Sequence, residues 1–178
     1  MRNDISKIIK EIYCNNNKNL FLEGCNKKID FLSEFIELLR KYSSDITFYD
    51  DVTEPALEIR ISVNTTITNE IEIQYDSLLY INKIVDYFFL QHEFSIDNPD
   101  INGIEPSLDG FSEEPYNRMQ FDLNNLIEDY LSQKKYKRLS RFEMNEIFPG
   151  IRKFPDREEL YQMNVNNALF MDLWDLSK

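Results

Sequence analysis

Histidine is the scarcest chemically useful residue in this chain: the 178 residues contain a single one, His92. A Ser-His-Asp or Cys-His catalytic site needs a histidine base, so chemistry of either kind would depend on that residue. His92 lies in the middle of an aromatic stretch that alternates as a strand does, which is typical of a buried structural histidine. We therefore predict no catalytic residue and no enzymatic activity.

Cysteine and glycine are also rare. The two cysteines, Cys14 and Cys25, are too few for a disulfide framework and give no zinc-ligand spacing with His92. The four glycines do not fit either G-x-x-x-x-G-K-[ST] or G-x-G-x-x-G, which excludes the common phosphate-binding loops. We expect no cofactor and no metal, and a small thiol pair favours a reducing cytosol.

Long apolar runs are missing as well. No window approaches the roughly 18 apolar residues that a membrane-spanning helix requires. The segment from Met1 to Lys7 lacks the uninterrupted apolar stretch of a signal peptide. These absences predict a cytoplasmic protein that does not contact the membrane.

Hydrophobic periodicity predicts several helices. Apolar residues recur at helical spacing, and Ser140 with Glu143 has the form of a capping box for a short helix that ends at Pro149-Gly150. The segment with Phe21 is predicted to anchor in the core before a turn at Gly24. The longer predicted helices run from Asp4 to Cys14, from about Lys28 to Tyr42, from near Pro115 to Leu131, and from Asn166 to Leu176.

Alternation predicts strands in the middle of the chain. Leu57 to Val63 and Asn69 to Tyr75 alternate between apolar and polar residues, so Asn64 to Thr68 is predicted to connect a hairpin. Leu78 to Ile96 fits either a strand pair or a buried helix, and its aromatic and β-branched residues favour strands. The predicted fold is α+β: residues 1–178 form one domain with N-terminal helices, a central, mainly antiparallel sheet and C-terminal helices.

The segment between Asp97 and Pro115 has no periodicity and is predicted to be a long loop, a feature that is usually functional or mobile. Asn98, Asp100 and Asp109 fall on positions of a calcium-loop frame, but the frame lacks its first aspartate and its bidentate glutamate. A turn-rich loop without metal is the prediction.

Negative charge is abundant, with a formal net charge of −12. Such a protein repels nucleic-acid phosphates and anionic membranes, so neither is an expected direct partner. Between Glu93 and Asp129 ten acidic residues face one basic residue, Arg118, whereas Lys134 to Lys153 is mainly basic. This distribution favours association with a basic protein.

Within the acidic segment two aromatic residues, Phe111 and Tyr116, alternate with carboxylates, a mixture typical of protein interfaces. The alternative places Phe111 in the core and leaves the acids to solvate a loop. The predicted partner-binding residues are Asp97, Asp100, Glu105, Asp109, Phe111, Glu113, Glu114 and Tyr116.

The strand-rich stretch Leu57 to Phe94, followed by His92-Glu93-Phe94-Ser95-Ile96-Asp97-Asn98 and Ser107-Leu108-Asp109-Gly110-Phe111, resembles the small acidic immunity proteins that bacteria pair with polymorphic or contact-dependent toxins. The resemblance is one of type and transfers no family residue. It implies a cytoplasmic protein that binds a cognate toxin, often a nuclease with a basic cleft, and blocks it.

Two other functions remain open. The same charge pattern would suit a phage-type mimic of nucleic acid that inhibits a defence protein. A carboxylate-based hydrolase would require two acids in a pocket with pKa values pushed apart. The oligomeric state does not follow from the sequence.

Overall fold

The computed structural model describes residues 1–43, 45–68, 71–97, 108–153, 160–172 and 176. The helices are α1 (Asn3–Ile9), which a π-helical turn (Lys10–Cys14) extends, α2 (Lys18–Cys25), α3 (Leu32–Leu39), α4 (Arg118–Gln133), α5 (Arg141–Met144) and α6 (Val165–Leu169). The strands are β1 (Asp45–Tyr49), β2 (Ala56–Thr68), β3 (Ile71–Asn82), β4 (Tyr87–Asp97), β5 (Leu108–Ser112), β6 (Lys137–Arg138), β7 (Ile147–Lys153) and β8 (Leu160–Asn164). The predicted α+β fold, with helices before and after a mainly antiparallel sheet, is confirmed.

Strands β1 to β5 lie side by side in chain order, each antiparallel to the next. Strand β6 pairs in parallel with the beginning of β4, and β7 and β8 form a separate hairpin. The ambiguous stretch Leu78 to Ile96 is a strand pair, as preferred from the sequence. The Asn82 side chain closes the turn between β3 and β4 by accepting hydrogen bonds from the N–H groups of Ile84 and Val85 at 2.8 and 2.7 Å.

One side of this sheet is packed against α3 and α4. Because side chains alternate along a strand, every second residue of β2, β3 and β4 points to that side. We call this side the covered face; its sheet residues in the apolar cluster are Leu57, Ile59, Ile61, Val63, Leu79, Ile81, Phe88 and Leu90. Phe35 and Leu39 of α3 and Leu123 and Ile127 of α4 fill the cluster.

A second apolar cluster covers the end of the sheet where β4 begins. Residues of α1, α2, α6 and β7 meet there around Ala56, Tyr87 and Phe89. The predicted capping box is present: Ser140 Oγ accepts from the Glu143 N–H at 3.2 Å, and Glu143 Oε2 accepts from the Ser140 N–H at 2.9 Å. Because α5 and α6 both contribute residues to the second apolar cluster, they lie beside the other face of the sheet.

Several predicted boundaries are wrong. Strand β2 continues to Thr68, so the hairpin connection predicted for Asn64 to Thr68 is strand. Helix α5 ends at Met144, and Pro149-Gly150 lies within β7. Helix α4 begins at Arg118, three residues after Pro115, because Asn117 Oδ1 caps it by accepting from the Gln120 N–H at 2.8 Å.

Two more corrections concern the ends of the chain. The residues around Phe21 form α2, and Gly24 makes no turn but packs against the β3–β4 connection, where a Cβ would lie 2.4 Å from Ile84 Cγ1. The predicted C-terminal helix begins at Val165 and ends at Leu169.

Among the described residues, no helix has both the length and the apolar character needed to cross a membrane.

Candidate functional site

The segment between Asp97 and Pro115, predicted as a loop, contains an edge strand, β5. It pairs with β4 so that Phe111 lies opposite Glu93 and Asp109 lies opposite Ser95. Gly110 lies opposite Phe94, whose Cε1 atom would be 2.5 Å from a Cβ at that position. A short strand with glycine at its centre gives almost no alternation, which explains why periodicity missed it.

The side of the sheet opposite the covered face carries most of the candidate site. The register of β2 to β5 brings its polar residues together in neighbouring rows. We call this side the open face and define it by Glu58, Arg60, Asp76, Tyr80, Gln91, Glu93, Asp109 and Phe111. It joins two of the predicted partner-binding residues, Asp109 and Phe111, to residues from three other strands.

Arg60 is the central cation of the open face. Its guanidinium contacts Asp76 at 2.9 Å and Glu93 at 3.7 Å, so two carboxylates already compensate its charge. Among the described residues, Glu58 and Asp109 have no ion-pair partner. Burial raises the pKa of Tyr80 to about 12, and the negative charges of Glu58 and Glu93 add to the effect. The open face therefore keeps a surplus of negative charge.

Phe111 is 52% exposed and does not enter the core, so the alternative placement is wrong. The Arg141 guanidinium carbon lies 4.2 Å from its ring centroid, a cation–π contact between β5 and α5. Tyr116 is 40% exposed, and its ring packs edge-on against Phe94 with centroids 4.8 Å apart. Both predicted aromatic anchors are accessible to a partner.

The remaining predicted residues are distributed unevenly. Glu113 is half-buried, and its carbonyl accepts from Arg138 Nη2 at 3.0 Å. Glu114 is exposed, and its N–H donates to Ser112 Oγ at 2.9 Å. Asp97 ends β4, whereas Asp100 and Glu105, with most of the calcium-loop frame, lie outside the described residues.

A cavity of about 470 Å³ opens on the same face, at the end nearest α5. Its lining combines residues of the sheet with residues of α5, α6 and the segment between β1 and β2. The lining residues are Tyr49, Asp51, Glu54, Ala56, Glu58, Tyr80, Phe89, Gln91, Arg141, Met144, Asn145, Asn166, Phe170 and Met171. None of them was among the predicted site residues, although the alternation of β2 had placed Glu58 on the polar side.

His92 is a structural residue of the covered face. It is fully buried and lies 2.9 Å from Ser77 Oγ through Nδ1 and 3.3 Å from Asn124 Oδ1 through Nε2. Because that oxygen also accepts from Arg138 Nη1 at 3.0 Å, His92 carries its proton on Nε2 and Ser77 donates to Nδ1. Burial lowers the pKa of His92, and the charge of Arg138 lowers it further. Both ring nitrogens are therefore engaged: Nδ1 bonds the neighbouring strand β3 through Ser77, and Nε2 bonds α4 through Asn124.

Other reactive groups offer little chemistry. Cys25 is buried, which raises the pKa of its thiol to about 12, while Cys14 is exposed. In the cavity, the backbone and hydroxyl of Thr53 hydrogen-bond Asp51 and lower its pKa, opposite to the shift that a general acid needs. The described part of the chain contains no group of three or more His, Cys, Asp or Glu residues that could hold a metal ion.

Comparisons with known proteins identify no relative: no family model, curated protein or solved structure matches the chain.

Proposed function

We propose that this protein is an immunity-type inhibitor, which binds a basic bacterial toxin through its open face and neutralises it in the cytoplasm. The observation that carries the proposal is the surplus of carboxylates around exposed aromatic rings. Asp109 and Glu114 are exposed, have no ion-pair partner among the described residues, and lie close in sequence to Phe111 and Tyr116. Acidic groups that surround aromatic anchors provide both electrostatic steering and contact area.

The net charge supports the same function. A protein with a formal charge of −12 associates rapidly with a basic surface, and this association weakens as salt screens the charges. A toxin that acts on nucleic acid has such a surface, because it must bind phosphates. The inhibitor would occupy the surface that the substrate needs.

Affinity capture tests the proposal directly. The tagged protein is expected to retain a stoichiometric basic protein from its native cell at low salt and to release it at moderate salt. The purified pair then allows a functional assay, in which the inhibitor abolishes the toxicity or enzymatic activity of the partner. An empty column at both salt concentrations contradicts the proposal.

A charge-neutralised variant locates the interface. The triple substitution Asp109→Asn, Glu113→Gln and Glu114→Gln is expected to weaken binding about tenfold or more, since each lost charge contributes up to ~1 kcal/mol. The matched control removes the same charges from exposed residues of the N-terminal helical region, with Glu23→Gln, Asp30→Asn and Glu37→Gln. Equal losses in the two variants would mean that only net charge matters and that residues 109–114 are not part of the interface.

The identity of the captured protein distinguishes immunity from nucleic-acid mimicry. A toxin encoded beside this gene supports immunity, whereas a host defence protein, with a phage operon around the gene, supports the mimic.

A further inference from the structure

The cavity at the α5 end of the open face has an aromatic lining. Tyr80 and Phe89 lie side by side on neighbouring strands, with ring centroids 6.4 Å apart and planes inclined at 26°. Tyr49 of β1 also lines the cavity and is 63% exposed. Phe170, just after α6, lines it as well. The rings give the cavity apolar surfaces on which a flat group can stack.

Among the described residues, three carboxylates line the same cavity, against one cation. Asp51 is engaged by Thr53, and Glu54 Oε2 accepts from the Asp172 N–H at 2.8 Å. Glu58 is half-buried near the beginning of β2, between Tyr49 and Tyr80, and its carboxylate has neither a hydrogen-bond partner nor an ion-pair partner among the described residues. Its carboxylate is available to an incoming donor.

Arg141 is the one cation among the described lining residues, and it is directed elsewhere. Its guanidinium lies over Phe111, and no described carboxylate forms a salt bridge with it. The described lining therefore has a net negative charge together with aromatic surfaces. This combination complements a planar cation.

We propose that this cavity receives an arginine side chain of the protein partner, with the Glu58 carboxylate accepting its N–H groups beside the rings of Tyr49 and Tyr80. The inference rests on the proposed function for the identity of the partner. A guanidinium is planar and weakly hydrated, stacks on aromatic rings and presents paired donors to a carboxylate. A lysine ammonium is more strongly hydrated and cannot stack in this way, so arginine is the specific occupant.

Arg141 gives the proposal a test in which two substitutions act in opposite directions. Replacing Glu58 removes the acceptor of the incoming guanidinium and weakens binding. Replacing Arg141 removes a like charge from the wall and strengthens binding. A nonspecific loss of folding would weaken both variants.

The probes are blocked tetra-arginine, tetra-lysine and tetra-citrulline peptides, titrated into the whole protein at low ionic strength and followed by amide NMR shifts. We expect tetra-arginine to bind more tightly than tetra-lysine, and the uncharged citrulline peptide to bind least. Glu58→Gln is expected to weaken tetra-arginine binding about tenfold or more. Arg141→Gln is expected to strengthen it about two- to fivefold. Glu23→Gln, which removes an exposed acid from α2, serves as the matched control.

Other results overturn the inference. These are equal affinities of the wild type and Glu58→Gln, equal binding of the arginine and lysine peptides, or shifts confined to residues 108–116. If salt-sensitive capture of a basic protein persists in any of these cases, the proposed function stands without the cavity. If capture fails while the peptide binds as expected, the arginine site stands and the proposed function falls.

Discussion

The two faces of the sheet are built from alternate residues of the same strands, yet they differ in polarity and in burial. On the covered face, Ile59 and Leu79 are fully buried beneath α3 and α4. On the open face, their neighbours Glu58 and Tyr80 line a cavity. Burial of the first set contributes to the folding free energy, since it removes apolar surface from water. The second set is free to be selected for binding.

This division has a practical consequence. A substitution on the covered face should affect binding only through stability, whereas one on the open face should affect binding with little change in stability. The two faces share a backbone, so adjacent residues of a single strand provide matched pairs of variants.

The largest expected effect comes from such a pair on β2. Ile59→Ala is expected to lower the free energy of unfolding by about 2 to 5 kcal/mol, because it removes apolar contacts and leaves a cavity. Glu58→Ala, one residue earlier, should change it by less than about 1 kcal/mol. Urea denaturation of the two variants checks the difference. Similar losses in both would show that the open face is also part of the folding core.

An intermediate effect is expected at Gly110, which lies between the open-face residues Asp109 and Phe111 on β5. An added Cβ must displace the Phe94 ring, which Tyr116 holds from another side, so Gly110→Ala should destabilise the protein by about 1 to 3 kcal/mol. Asp109→Ala on the same strand is the control and should remain within about 0.5 kcal/mol of the wild type. Thermal unfolding measures both. Adding Phe94→Leu should restore part of the loss; if it restores nothing, the clash is not the cause.

The smallest effect concerns the pH dependence conferred by His92. Its folded pKa lies below the ordinary value of 6.5, so the unfolded chain binds a proton more readily. The contribution of His92 to the free energy of unfolding is therefore fully present above pH 6.5, and it decreases as the pH falls below that value. The slope from this single group cannot exceed about 1.4 kcal/mol per pH unit, the limit for one proton.

Urea denaturation at about pH 7.5 and about pH 5.5 tests this sign, because carboxyl groups titrate mainly below that window. The variant His92→Gln should unfold with a flatter pH dependence between these values, whatever its absolute stability. An unchanged slope would mean that another group is responsible.

The separation of the two faces was largely predictable from the sequence. Alternation from Leu57 to Val63 assigned Ile59 to the core and Glu58 to the polar side, and the strand preference of Leu78 to Ile96 was correct. Strand β5 was missed because Gly110 interrupts a pattern of only five residues. Helix α2 was missed because it follows a run of asparagines and is stabilised mainly by burial of Phe21, a tertiary contact.

The cavity could not be predicted, because it forms between residues that are distant in sequence. Glu58 and Arg141 line one cavity because the second apolar cluster holds α5 beside the sheet. The assignment of residues 1–178 to one domain, and the partner roles of Asp109, Phe111, Glu113, Glu114 and Tyr116, stay predictions.

Arg138 gives the acidic segment a further property. Its guanidinium donates to the carbonyls of Leu90 and Glu113, both at 3.0 Å, and also bonds the side chains of Asn124 and Glu128. One side chain thus fixes the chain after β5 to β4 and α4 before any partner arrives. Ordering entropy that a mobile loop would lose on association has already been lost during folding. If the proposed partner binds these residues, the chain after β5 should rearrange little on binding.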